Sequence, residues 1–163
     1  KTWIAPDTSW TNGAPSAVLD SGAYKVTSKD SKHLEMDSPV CPNSQLSITR
    51  RITLSSGNEW TIEHSVTNLG STPRLTNSTG RTVIRCGEDT LWLECLVSKP
   101  QPRDRFAHRY PVEIFNSGDY DYCEAEWHSP ARNLAPNETL RFRQVFRLFA
   151  NKDATRSLRN EKK

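Results

Sequence analysis

Nearly every readable segment of this chain alternates apolar and polar residues with a period of two, and that pattern constrains the fold most. In "QLSITRRITL" the residues Leu46, Ile48, Ile52 and Leu54 share a face, interrupted by Arg50, while Ser47, Thr49, Arg51 and Thr53 point the other way. In "WTIEHSVTN" Trp60, Ile62, His64 and Val66 alternate with Thr61, Glu63, Ser65 and Thr67. Such alternation is the mark of a half-buried strand, and Ser55 to Glu59 between the two runs is hairpin-length and rich in turn formers. The segments "RTVIRC", "TLWLECLV", "PVEIFN", "YDYCEAEW" and "TLRFRQVFRLF" continue the series at short spacing. In the last, Phe142, Phe146 and Leu148 fall on one side and Arg141, Arg143 and Arg147 on the other. A helical apolar period is absent, except for a short stretch after Ala150. The expected fold class is therefore all-β, an antiparallel β-sandwich, with residues 45–55 and 59–68 as a hairpin.

A chain of 163 residues is one domain by length, and with 34% hydrophobic residues its core is lean. No run reaches the ~18 apolar residues that a membrane helix needs. Five basic and two acidic side chains between Lys152 and Lys163 account for the whole net charge of +3. The rest of the chain is neutral, which argues against a nucleic-acid partner, because such proteins carry a basic body. The expected division is a sandwich over 1–151 and a basic, flexible tail over 152–163. The opening "KTWIAPDTSWTNGAPSAVLD" and the connection "SKPQPRDRFAHRYP" (98–111) read as long ordered loops, where binding residues usually sit. Lys1 is an unlikely natural start, so processing or truncation is expected, with a periplasmic or secreted setting favoured over a cytoplasmic one. The spacings of Cys41, Cys86, Cys95 and Cys123 match no zinc pattern; their even number permits two disulfides, but Cys95 and Cys123 lie in strand-like runs with apolar neighbours and are expected as buried free thiols. Asn77 and Asn137 head formal glycosylation sequons and mark exposed turns.

Two strands carry candidate chemistry. Parity turns His64 inward, either as a core histidine bonded to its surroundings or as a proton donor. In "YDYCEAEWH" the residues Tyr120, Tyr122, Glu124, Glu126 and His128 fall on one face. That face is either a solvated surface or a polar site in which carboxylates and an imidazole handle protons. Lys1, Trp3 and Trp10 in the opening loop either line a pocket or plug the sandwich end. His108 and Arg109 are expected in solvent, and His33 has no partner visible in sequence.

Several motifs, taken in order, resemble an uncharacterised family of the galactose-mutarotase-like superfamily. They are "KTWIAPDTSW", "LDSGAY", "SPVCPNSQLSITRRITL", "WTIEHSVTNLGSTPR" and "CEAEWHSPARNLAPNETLRF". The resemblance covers residues 1–74 and 112–149. It implies a supersandwich whose first strands lie outside this chain, and a carbohydrate ligand. Asn137 stands where that family usually has Gly, which implies a left-handed turn. By the same resemblance His64 would be a general acid and Glu126 the base, while Tyr122, Glu124 and His128, by parity, and Lys1 and Trp3, from the aromatic opening loop, are expected to bind substrate. Neither a cofactor nor a metal is expected. The resulting expectation is a saccharide-binding protein of mutarotase-like ancestry. An active aldose 1-epimerase is the enzyme alternative, and a non-catalytic structural or interaction module is the alternative from another class.

Overall fold

A computed structural model describes residues 2–3, 15–76, 79–85, 91–106, 109–116, 118–119 and 122–150. The tail over 152–163, and with it the stretch after Ala150, lies outside these residues, as do Cys86 and Asn77. In chain order the elements are β1 (Thr2–Trp3), α1 (Ala17–Asp20), β2 (Lys25–Lys29), β3 (His33–Asp37), β4 (Leu46–Ser56) and β5 (Glu59–Asn68). There follow β6 (Arg74–Thr76), β7 (Thr79–Arg85), β8 (Leu91–Leu96), β9 (Val112–Asn116), β10 (Tyr122–His128), β11 (Arg132–Leu134) and β12 (Thr139–Ala150). All of their pairings are antiparallel, and the four-residue α1 is the one helix among the described residues. None there is long and apolar enough to cross a membrane.

The strands form a six-stranded sheet ordered β2-β3-β4-β5-β12-β8, a four-stranded sheet ordered β1-β7-β10-β9, and a small pair of β11 with β6. The expected β4–β5 hairpin is present. Its turn is tighter than the Ser55–Glu59 link suggests, because strand pairing runs up to Ser56 and Glu59 and leaves Gly57 and Asn58 to turn the chain. A bulge between Leu54 and Ser56 accommodates the extra residue. Strands β2, β3, β6 and β11 carry too little alternation to be read from sequence, and pairing with stronger neighbours defines them.

Packing follows the even-numbered face of the long strands. Leu46, Ile48 and Val66 are buried, and with Leu19, Cys41, Tyr24 and Leu140 they form the core at one end. Each fully buried side chain of this size contributes about 1.5–3 kcal/mol. Toward the other end the same face opens, and Leu54 is exposed. Trp60 stacks on its lateral partner Phe146 at 5.5 Å between ring centroids. Phe146 in turn receives the edge of Trp127 from β10 at 5.7 Å and 89°. That contact brings the four-stranded sheet against the inner face of the six-stranded one. The residue that interrupts the apolar stripe, Arg50, lies over the Tyr24 ring at 5.0 Å, a cation–π contact that suits a half-buried guanidinium. On the outer face Arg51 reaches Glu35 and Glu63, and Arg147 reaches Glu59 and Glu94, so charges bridge neighbouring strands.

Where β5 ends, Asn68 is fully buried and its amide is saturated. Its Nδ2 donates to the carbonyls of Thr72 (2.8 Å) and Leu134 (3.0 Å), and its Oδ1 accepts from Gly70 N–H (3.0 Å). Beside it, Asn137 adopts φ 65, the left-handed conformation anticipated from the sequence. Replacing Asn68 by Ala removes all three bonds and strands their partners. The expected cost is about 2–4 kcal/mol, read as a lower urea midpoint. A loss below about 0.5 kcal/mol would mean that these turns hold without the side chain.

Candidate functional site

Strand β10 lies between β7 and β9, so its backbone is paired on both sides. Its odd-numbered residues build the core: Ala125 is buried and Trp127 meets Phe146. Its even-numbered residues are also withdrawn from water, although they are polar. Glu124 is 4% exposed, Glu126 7% and His128 3%. A solvated outer face is therefore not what this strand presents. Burying carboxylates is costly unless they are paired, hydrogen-bonded or bound to a cation.

Register sets the neighbours. Glu126 stands opposite Arg81 of β7 on one side and Glu113 of β9 on the other. His128 stands opposite Thr79, which in turn opposes Trp3 of β1, so these three positions form one lateral row across the sheet. The imidazole Nε2 of His128 lies 3.7 Å from Glu113 Oε2. Ligand atoms of Glu113, Glu126 and His128 all fall within 4.8 Å of one another.

The long connection before β9 frames this end of the strand. His128 N–H donates to Pro111 C=O (2.9 Å), Ala131 N–H to Arg105 C=O (2.7 Å), and Arg132 Nη2 to Asp104 (2.9 Å). The backbone N–H of Gln101 and then Arg132 hold the Asp104 carboxyl below its usual range.

The structure separates two groups that the sequence reading put together. His64 is inward-facing and buried, as parity requires. It stands opposite Phe142, on the face that carries Phe146, and Phe146 receives Trp127. Glu126 adjoins Trp127 along an unbroken strand and so points the opposite way. The expected face shared by His64 with Glu124 and Glu126 is not formed. Burial, then the Arg50 guanidinium, push the His64 imidazole down to about 3, against an opposing hydrogen bond to Gln144. A group neutral throughout the physiological range does not supply the imidazolium that an ordinary histidine general acid uses. His64 is a core histidine.

Of the remaining candidates, Lys1, Trp10 and His108 lie outside the described residues. Trp3 and Tyr122 are placed by their backbones in β1 and β10. Arg109 turns the connection at φ 75, and His33 opens β3 with its N–H bonded to Asp30. Cys95 is a free thiol pushed up to about 12 by burial, as an inert core cysteine would be, and Cys41 is also free. Glu113 was missed from sequence. It is one acidic residue in an apolar strand, and only the β9–β10 register identifies its partner.

The His64 assignment has a signed pH consequence. Its folded value lies below the unfolded value near 6.5, so the unfolded chain binds the extra proton. Stability is then present above pH 6.5 and lost as pH falls toward 3, at up to about 1.4 kcal/mol per unit. Urea melts at pH 6.5 and 4.5 should show a shallower acid loss for His64→Gln than for the parent protein. Equal losses would place His64 in a solvated environment instead.

No protein-family profile and no curated protein matches this sequence. Among solved structures, a crystal structure from Escherichia coli K12 named "Putative aldose 1-epimerase" superposes with a TM-score of 0.61 at 12% identity. The match covers 79% of this chain and 69% of that one. The chain thus has an aldose 1-epimerase-like β-sandwich fold.

Proposed function

We propose that this protein is of mutarotase-like ancestry and binds a saccharide on the β10 face that carries Glu124, Glu126 and His128. The observation that carries this reading is the burial of three polar, proton-exchanging side chains in alternation on one central strand. Carboxylates accept hydrogen bonds from sugar hydroxyls, and aromatic faces pack against sugar C–H patches. Register brings β1, with Trp3, into the same sheet, in the row of His128. Likeness to a structure named as an aldose 1-epimerase supports a sugar as ligand class. Interconversion of anomers needs one group to take the anomeric hydroxyl proton and another to protonate the ring oxygen. A carboxylate and an imidazole that adjoin one another suit those roles. Glu126 with His128 offers that pair, whereas Glu126 with His64 does not.

The test is ligand-observed NMR against a panel of aldoses, with Glu124→Gln and Glu126→Gln beside the parent. Binding to at least one aldose is expected, weakened about tenfold or more by Glu124→Gln. If mutarotation is seen by polarimetry, Glu126→Gln should abolish it while leaving binding largely intact. An absence of binding across the panel would overturn the reading.

A second reading, as an interaction module, has its own observation. Edge strand β2 is blunted by Lys25, Lys29 and a bulge, but β9 at the edge of the other sheet exposes Val112, Ile114 and Phe115. Unpaired apolar edges invite strand pairing. Under this reading the parent protein dimerises with concentration in analytical ultracentrifugation and Ile114→Lys reverses it. A monomer at all concentrations rules it out.

A further inference from the structure

We propose that Glu113, Glu126 and His128 form a binding site for a divalent transition-metal ion of the Zn2+ or Mn2+ type. The inference goes beyond the saccharide reading, although the two share Glu126 and His128.

Three features converge. The first is placement. Glu113 and Glu126 are direct partners on hydrogen-bonded antiparallel strands, and His128 follows Glu126 by two residues, on the same face. All three ligands therefore come from regular strand rather than loop, which fixes their origins before any ion arrives. The second is distance. One donor atom from each lies within 4.8 Å of the others, and His128 Nε2 is 3.7 Å from Glu113 Oε2. An ion held at about 2.0–2.2 Å from each donor needs donors roughly 3–3.5 Å apart. Side-chain rotations that close the set by about an ångström would suffice. Glu113, at the sheet edge with 32% of its side chain exposed, has the freedom to make them.

The third is charge. Two carboxylates, Glu113 at the sheet edge and the buried Glu126, face the same point, and a dication would offset the negative charge of both. Glu126 and His128 are among the most buried polar residues described. A dication would accept donors from all three side chains at once.

The donor set selects the ion. An imidazole with two carboxylates suits Zn2+ or Mn2+. Ca2+ and Mg2+ favour all-oxygen shells, and Cu(I) favours sulfur. Three protein ligands leave coordination positions open to water or to a sugar hydroxyl.

The test reads metal without sugar. Protein stripped with EDTA is titrated with ZnCl2 and with MnCl2 by calorimetry, and with CoCl2 by visible absorption. One saturable site per chain is expected for Zn2+ or Mn2+. Co2+ should show the d–d bands of a mixed nitrogen and oxygen shell, CaCl2 should not compete, and Glu113→Gln should weaken binding at least tenfold. No saturable site in the parent protein overturns the proposal, and so does unchanged affinity in Glu113→Gln, which would place the ion elsewhere. Should Glu113→Gln fail to fold, the His128 15N resonance of the parent protein decides: an unmoved signal on adding Zn2+ overturns the proposal. Aldose binding by the stripped protein is scored separately, so either reading can fail while the other stands.

Discussion

Asn68 is the point on which the relation between the two sheets depends. The chain leaves β10 in one sheet at His128 and enters β12 in the other at Thr139, and the intervening segment has to be anchored. Asn68 anchors it twice. Its side chain holds the Leu134 carbonyl, while its backbone exchanges hydrogen bonds with Asn137 and Glu138 (2.7 and 3.0 Å). The left-handed φ of Asn137 and the Glu138 carboxylate, which accepts from Ala135 N–H, close that turn. The same clamp starts the β5–β12 register, in which Thr67 meets Thr139. A slip of one residue there would turn Val66, Phe142 and Phe146 out of the core. A buried amide in this position specifies the arrangement as much as it stabilises it.

Polar groups are buried on both sides of the packing layer, for different reasons. Within the layer, His64, Gln144 and Arg50 occupy positions that apolar residues could fill. His64 hydrogen-bonds Gln144, Arg50 lies over the Tyr24 ring, and the imidazole stays neutral. On the far side of β10, Glu124, Glu126 and His128 are groups whose ordinary chemistry is proton exchange. Their grouping on the face of β10 turned away from His64 is the observation on which the proposed site rests.

Strand alternation made the architecture legible. The β4–β5 hairpin, β7 to β10 and β12 follow directly from period two, and the Asn137 conformation followed from its standing where the resembled family usually has Gly. The short strands β2, β3, β6 and β11 were not legible: β2 is exposed and β3 intermediate along its whole length, and β6 and β11, at three residues each, are too short to show a period. For the site, parity put Glu124, Glu126 and His128 together and turned His64 inward, both correctly. Parity is defined within one strand, however, and carries no information about which faces of two sheets oppose one another. That depended on a contact between Trp127 and Phe146, residues 19 positions apart, and Glu113 depended on inter-strand register.

The geometry also assigns separate duties to alternate residues of one strand. Ala125 and Trp127 tie β10 to the core, whereas Glu124, Glu126 and His128 face the other way with little exposure. Substitutions of the first set act through packing, and conservative substitutions of the second set leave that packing untouched. Fold and chemistry at this site are thus separable by experiment. A fold likeness at 12% identity carries the scaffold, and the identity of the even-numbered residues has to carry the chemistry. The Glu-x-Glu-x-His alternation fits this division: a two-residue period is the only spacing that gathers three acid–base groups on one side of a strand while leaving the other side free to hold the sandwich together.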